Sequence, residues 1–221
     1  MMNGQIVWDH FKELQNEFPN LVLTFESSRY YIRGALEFRA QFSNKELIAE
    51  SYSIEIEVSD QYPYSLPVAR ELGGRIPKSF HTFTNGTLCL GAPIAIKMTF
   101  SKEPTLLGFV KTLLVPYLYS YSYREKNNEC MPYGELEHGA KGIIGYYLEL
   151  FQVTSIDAVL KFLRAMAFNK IRGHLPCPCE SGSKIRNCHG PKLVEIQKFQ
   201  TSNEFRIELI DCIEHVRRTR R

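Results

Sequence analysis

Three runs of β-branched and aromatic residues follow one another early in the chain, over residues 21–25, 30–42 and 47–58. The third run alternates cleanly through Ile54, Ile56 and Val58, which is typical of a strand with one buried face. We therefore predict three antiparallel strands in the N-terminal part of the chain. Gly34, inside the second run, indicates a bulge or a bend.

Helical periodicity surrounds these strands. Before them, apolar residues recur every three or four positions within residues 6–18, which predicts a helix with one apolar stripe. After them, similar spacing predicts helices over about 106–114, 140–151, 155–171 and 192–216, the last with a polar gap around 201–203. Pro116 is expected to end or kink the first of these. The apolar stripe of the N-terminal helix consists of Val7, Phe11, Leu14 and Phe18.

The long segment after Tyr62-Pro63 loses the alternation and leads to Cys89. Loops of such length in compact domains are functional or disordered, and the aromatic residues and prolines here argue against disorder. Gly86 permits a tight turn, while Leu88 and its apolar neighbour can anchor inward and leave the Cys89 thiol facing outward. We interpret Cys89 as a nucleophile; the alternative is a small buried core thiol.

The order of helix, strands, long loop with a glycine, an apolar residue and then Cys89, and later helices resembles that of ubiquitin-conjugating enzymes over roughly residues 1–150. The resemblance implies an α+β fold with an N-terminal helix, a four-stranded antiparallel meander, an active-site loop and C-terminal helices. It also implies a transferase that carries an acyl group as a thioester on Cys89 and passes it to an amine.

One departure from that family concerns the mechanism. Its eukaryotic members have a His-Pro-Asn triplet whose asparagine lies eight residues before the cysteine, and His81 stands at that offset here. We expect His81 or Asn85 to replace this residue, because histidine can donate a hydrogen bond to an oxyanion or act as a base. The alternatives are that His81 pins the loop, that Asn85 serves only its Asn-Gly turn, or that the chemistry is lost.

His138 is a further candidate, in a glycine-rich segment before a predicted helix. In the resembling fold this segment returns close to the cysteine, so His138 is expected to help deprotonate the incoming amine or to orient the loop. The competing interpretation is a capping or surface histidine beside a turn.

A second motif places Cys177, Cys179, Cys188 and His189 within thirteen residues. Three cysteines and a histidine form the ligand set of a tetrahedral structural zinc ion, and folding of so short a segment should depend on the ion. Disulfides are the competing interpretation. The order Cys-Pro-Cys, Ser-Gly, basic stretch and Cys-His-Gly resembles the SEC-C motif, which also favours zinc.

Composition and charge limit the class of protein to which the chain can belong. No run of eighteen apolar residues and no basic-then-apolar leader is present, so we expect a cytoplasmic protein without a membrane span. Residues 1–150 carry a net charge of −3, from 14 Lys and Arg against 17 Asp and Glu, whereas residues 151–221 carry +6, from 13 against 7. The arginines among residues 217–221 could bind nucleic acid or an acidic protein partner, but the favoured interpretation is a solvent-exposed, frayed terminus. These arginines are Arg217, Arg218, Arg220 and Arg221.

We expect a ubiquitin-conjugating-like catalytic domain over residues 1–172 and a SEC-C knuckle with a helix and basic tail over 173–221. In lacking the triplet and in having the SEC-C motif, the chain resembles ubiquitin-conjugating-like proteins of bacterial antiphage operons. These operons also encode cGAS-like nucleotidyltransferases (CBASS). That resemblance implies that the C-terminal carboxylate of the nucleotidyltransferase forms the thioester. No glycine-rich nucleotide fingerprint is present, so activation of the carboxylate must come from elsewhere or proceed unusually. The rival hypotheses are a catalytically silent binding module of the same fold and a nucleic-acid or chaperone-associated adaptor.

Overall fold

The computed structural model describes residues 2–42, 44–127 and 139–219. The chain is an α+β protein with a four-stranded antiparallel sheet. Its described residues form two compact units, one of residues 2–90 and 99–127 and the other of residues 91–98 and 139–219. These units differ from the sequence division at residue 172, because the helices of residues 139–167 share a core with the segment that follows them.

The sheet of the first unit has the order β1-β2-β3-β4, each strand antiparallel to the next. The strands are β1 (Leu21–Glu26), β2 (Arg29–Ala40), β3 (Ile48–Val58) and β4 (Val68–Glu71). The three predicted strands are therefore confirmed, and so is the four-stranded meander. β4 lies inside the stretch that the loss of alternation had marked as loop, since four residues are too few to show a period.

One face of this sheet is buried and the other carries ion pairs. On β3, Tyr52, Ile54, Ile56 and Val58 are buried, while residues between them are partly or fully exposed. The helix α1 (Met2–Glu17) buries Val7, Phe11 and Leu14, and Phe18 just after its end is also buried. The predicted apolar stripe is thus confirmed. It belongs to the hydrophobic core of this unit.

Gly34 is a point of close approach rather than a bulge. It pairs in register with Leu21 within an uninterrupted β1–β2 ladder. Its φ is +147°, and a Cβ built on it would lie 2.0 Å from the carbonyl oxygen of Asn20. The prediction of a bulge at Gly34 was therefore wrong. Glycine is needed here because no side chain fits between β2 and the backbone before β1.

The helix after the loop continues through Pro116. It consists of α3 (Leu106–Phe109), a π-helical turn (Val110–Leu114) and α4 (Val115–Asn127). Val115 donates its backbone N–H to the Val110 carbonyl, five residues back, which widens the helix immediately before the proline. The expectation that Pro116 ends the helix was wrong. The wider turn precedes the residue that lacks an N–H.

The second unit is helical. It contains most of α2 (Pro93–Phe100), then α5 (Gly139–Phe151), α6 (Ile156–Ala167), α7 (Gly190–Ile196) and α8 (Ser202–Thr219). Residues 197–201 separate α7 from α8, where one helix with a polar gap around 201–203 had been expected. Buried residues of α5, α6, α7 and α8 form one core, which also includes Cys177 and Ile185 from the segment before α7.

The longest apolar helices of the second unit bear on membrane association. No single helix among residues 2–42, 44–127 and 139–219 is long and apolar enough to cross a membrane. The pair α5–α6, bent by 90° at its break, passes a test of length and composition only when the two helices are taken together. Both helices contribute side chains to the core of the second unit.

A buried carboxylate lies in this helical core. Glu208 on α8 is only 3% exposed and accepts hydrogen bonds from the Tyr147 hydroxyl at 2.7 Å and from the Gln200 amide at 2.9 Å. Burial raises the pKa of Glu208, against the lowering effect of these two hydrogen bonds. The folded chain therefore holds the Glu208 proton more tightly than the unfolded chain does.

We expect the Glu208 contribution to stability to be present below the carboxyl group's unfolded-state pKa of about 4.3 and to fall as the pH rises through its higher folded-state pKa. Glu208→Gln, which keeps the shape and the hydrogen-bonding capacity, should remove this part of the pH dependence. Urea unfolding from pH 4 to pH 8 measures it, with the exposed Glu195→Gln as the control. Parallel pH profiles for the wild type and Glu208→Gln would contradict the prediction.

Candidate functional site

Cys89 lies at the end of a small hairpin attached to β4. Cys89 donates its backbone N–H to the carbonyl of His81 at 2.7 Å, and Thr82 and Leu88 form a bridge one step further along the hairpin. The Leu88 N–H reaches the Ala69 carbonyl on β4 at 2.8 Å. Leu88 is buried and Cys89 is half-buried. The hairpin therefore holds the thiol at a fixed place beside the sheet and partly open to solvent.

The tip of the hairpin is built by Asn85 and Gly86. The Asn85 side-chain oxygen accepts hydrogen bonds from the backbone N–H and the hydroxyl of Thr87, at 3.1 and 2.7 Å. Gly86 has φ of +82°, which glycine adopts at little cost. Asn85 is exposed and its carbonyl oxygen is engaged within the turn. This geometry matches the turn-forming interpretation of Asn85.

His81 is brought directly opposite Cys89 by the hairpin. Its side chain is buried, at 6% exposure, and its φ of +36° is unusual for a residue other than glycine. Such backbone strain persists where the surroundings enforce it, and it concentrates at functional sites. The His81 carbonyl also accepts a hydrogen bond from the Tyr117 hydroxyl at 3.2 Å. His81 thus both anchors the loop and stands next to the residue that carries the thiol.

Tyr117 on α4 contacts the backbone of this hairpin. This residue was not identified from the sequence. Its hydroxyl also donates to the Phe80 carbonyl at 3.2 Å, and its ring packs edge-on against the Phe80 ring. Burial is the largest cause that raises the pKa of Tyr117, and the proximity of Cys89 adds to it. The available signal was a tyrosine-rich helix after the cysteine. The remaining catalytic candidate, His138 in the glycine-rich segment before α5, lies outside the described residues.

The second site is a compact cluster of Cys177, Cys179, Cys188 and His189, whose ligand atoms all lie within 4.8 Å of one another. The His189 Nδ1 lies 3.3 Å from the Cys177 sulfur and 3.2 Å from the Cys188 sulfur, and the sulfurs of Cys179 and Cys188 are 3.5 Å apart. Bond lengths of about 2.3 Å to sulfur and 2.0–2.1 Å to nitrogen give tetrahedral edges of roughly 3.5–3.8 Å. The cluster therefore has the ligands and the spacing to bind a metal ion, and the cysteines are free thiols.

The orientation of His189 is fixed by its other ring nitrogen. Nε2 lies 2.8 Å from the Phe151 carbonyl of α5, so Nε2–H donates there and Nδ1 is left to face the sulfurs. The ring also packs against Phe151 and Phe162, with centroid distances of 5.9 and 4.9 Å. A carbonyl partner of this kind holds a ligating histidine in the required tautomer.

The thiols differ in their surroundings. Burial raises the pKa of Cys177 to about 11. Burial also acts on Cys179, but hydrogen bonds from Ser181 and the neighbouring thiols outweigh it and lower the pKa of Cys179 to about 6. A bound cation favours the thiolate form of every ligating cysteine, so binding releases protons.

We compared the chain with models of protein families, with curated proteins and with solved structures, and none of them matches. The functional assignment therefore rests on the two sites themselves. One is a half-buried thiol paired through the backbone with a strained histidine, and the other is a Cys3His cluster able to bind a metal ion.

Proposed function

We propose that this chain is a ubiquitin-conjugating-like acyltransferase whose Cys89 thiol carries the C-terminal carboxylate of a protein partner as a thioester. One observation carries the proposal. A half-buried cysteine follows a four-stranded antiparallel meander and is joined to His81 through a backbone hydrogen bond of 2.7 Å. This is the position in the order of elements at which ubiquitin-conjugating enzymes hold their thioester cysteine.

The chemistry proposed for Cys89 needs few groups. Its thiolate attacks the carbonyl carbon of an activated acyl group, the activating group leaves with the electron pair of the broken bond, and a thioester forms. An amine then attacks the same carbon, loses a proton to a base, and expels the Cys89 thiolate. His81 is proposed to donate a hydrogen bond to the oxyanion formed in each step. No adenylation site is assigned to this chain, so an upstream enzyme must supply the activated acyl group.

We further propose that the Cys–His cluster holds a structural zinc ion and that its segment, with α8 and the basic tail, recognises the partner. All four ligand positions are filled by side chains, which is typical of structural rather than catalytic zinc. The resemblance to bacterial antiphage proteins supports a cytoplasmic role in such defence. It also supports a cGAS-like nucleotidyltransferase as the partner that supplies the carboxylate.

The test is an adduct on Cys89 in the full chain, isolated from cells that also express the candidate nucleotidyltransferase and its activating enzyme. Intact mass and non-reducing gels should show an adduct in the wild type that thiol reductant removes. Cys89→Ala should show none, and Cys89→Lys should show a reductant-resistant amide. Cys212→Ala, which changes a buried cysteine of α8, should leave the adduct in place.

His81 is tested in the same experiment with two variants. Asparagine tolerates positive φ and keeps a hydrogen-bond donor, so His81→Asn should retain the adduct. His81→Ala should slow its formation by about 10²-fold, the usual effect of losing one oxyanion donor. Equal rates in both variants would assign His81 to loop anchoring alone. The absence of any adduct in the wild type would instead favour a silent binding module.

A further inference from the structure

The second unit contains a pocket of about 480 Å³. Its lining residues lie between positions 161 and 185, so Cys89 is not among them. It lies between α6 and the segment from Phe168 to Pro178, with Ile185 at its edge. Small-ligand sites in proteins have volumes of roughly 300–1,000 Å³. The pocket is therefore large enough for a ligand of metabolite size, and nothing proposed for Cys89 uses it.

One part of the pocket lining is apolar. Phe162 is buried, whereas Phe168 and Leu175 are 45% and 40% exposed, and Pro176 and Pro178 complete the lining on that side. Aromatic and proline rings present planar apolar faces. Such surfaces suit a flat aromatic ring, which gains from offset stacking as well as from burial.

Four cations line the same pocket, and no carboxylate does among the described residues. Lys161 is paired with Asp157 at 2.6 Å, and Glu180 also acts on it electrostatically. The remaining three are exposed and form no ion pair within residues 2–42, 44–127 and 139–219: Arg164, Lys170 and Arg172. This leaves an excess of about three positive charges for a ligand to neutralise.

We propose that this pocket binds a nucleoside polyphosphate, with its base against Phe168 and the prolines and its phosphates among Arg164, Lys170 and Arg172. The charge of a di- or triphosphate matches the unpaired cations, and guanidinium groups bind phosphate oxygens in bidentate fashion. The lining offers no side-chain amide, hydroxyl or carboxylate to read a base edge. Binding should therefore discriminate little between adenine and guanine.

The pocket is preformed by the fold of the metal-binding segment. The Ile185 N–H bonds to the Leu175 carbonyl at 2.9 Å, and the Arg186 N–H bonds to the Gly173 carbonyl at 3.0 Å. Pro176 also forms a bridge with Lys184. Because Pro176 and Pro178 flank Cys177, the position of this wall depends on the Cys–His cluster, and a preformed wall reduces the entropic cost of binding.

Calorimetric titration of the full chain tests the proposal with ATP, GTP, adenosine and inorganic triphosphate as separate probes. ATP and GTP should bind within about threefold of one another. Adenosine and triphosphate should each bind at least tenfold more weakly, since each lacks one half of the interaction. Triphosphate as tight as ATP, or a single-stranded oligonucleotide bound in preference to ATP, would overturn the proposal.

Variants assign the binding to this pocket. Lys170→Ala/Arg172→Ala should weaken ATP binding at least tenfold, and Arg164→Gln should do so independently. Lys198→Ala removes an exposed cation of the same unit outside the lining and should have no effect. Phe168→Ala should weaken ATP but not triphosphate. Thermal melts confirm that each variant is folded, and ATP affinity unchanged in the pocket variants would overturn the assignment.

Discussion

Removing the metal ion that we propose for the Cys–His cluster is expected to unfold the segment from about residue 173 to 189 and to destabilise the whole second unit. Within this segment only Cys177 and Ile185 are buried apolar residues, so it has no core of its own. Metal binding to such segments contributes folding free energy, about 10–16 kcal/mol in zinc-finger peptides at pH 7. The same two residues belong to the core of α5, α6, α7 and α8. When the segment unfolds, their contacts in this core are lost, so those helices should be destabilised as well.

Chelation with a strong zinc ligand, followed by circular dichroism and calorimetry, measures this effect. The chain as purified should release one zinc ion per molecule. The chelated chain should show a separate melting transition for the second unit at markedly lower temperature, because the Cys89 unit has its own sheet and core. Added zinc should restore the original transition.

Cys188→Ser and Cys212→Ala are the matched pair for this prediction. Cys188 lies in the cluster, so its loss should abolish tight zinc binding and reproduce the chelated melting curve. Cys212 is buried in α8 outside the cluster, so its loss should leave one zinc per chain and cost only the contacts of a small side chain. Unchanged melting after chelation, or one zinc retained by Cys188→Ser, would contradict a structural metal at this site.

The Cys–His cluster and the first three strands could be predicted from sequence because their signals are local. The four ligands of the cluster lie within thirteen residues, with ligand types and a spacing typical of a structural zinc site. β3 shows its burial in its own alternation, from Ile54 to Val58. Where one short element carries the whole pattern, no long-range information is needed.

The units and the support of Cys89 required the structure because they depend on distant pairs. Tyr117 is 36 positions from the His81 carbonyl that it contacts, and no periodicity connects the two. Likewise, α5 and α6 have the pattern of any amphipathic helices, and only their packing with α8 assigns them to the second unit. The pairing of His81 with Cys89 could be predicted only in part. The Asn85-Gly86 turn between them is typical of a hairpin, but it does not predict the positive φ of His81.

Gly34→Ala is expected to destabilise the first unit more than Gly74→Ala, a glycine substitution in the same unit but outside the strands. Its added Cβ would lie 2.0 Å from the Asn20 carbonyl oxygen and 3.2 Å from the Leu21 Cα, both backbone atoms of the turn into β1. The residue also has φ of +147°, which side chains rarely adopt. Strain of about 1–3 kcal/mol adds to an overpacking cost of similar size, which together approach the stability of a small domain.

Gly74→Ala separates the two causes. Gly74 has φ of +73°, and no atom lies within 4 Å of the position that an alanine methyl group would take, so alanine there meets conformational strain without a clash. Urea unfolding should give a loss of about 1–2 kcal/mol for Gly74→Ala and at least twice that for Gly34→Ala. Equal losses would mean that the turn before β1 can move away from β2. β3 and β4 extend the sheet of Gly34 to the Cys89 hairpin. A destabilised Gly34→Ala chain should therefore also lose the proposed Cys89 adduct, whereas Gly74→Ala should keep it.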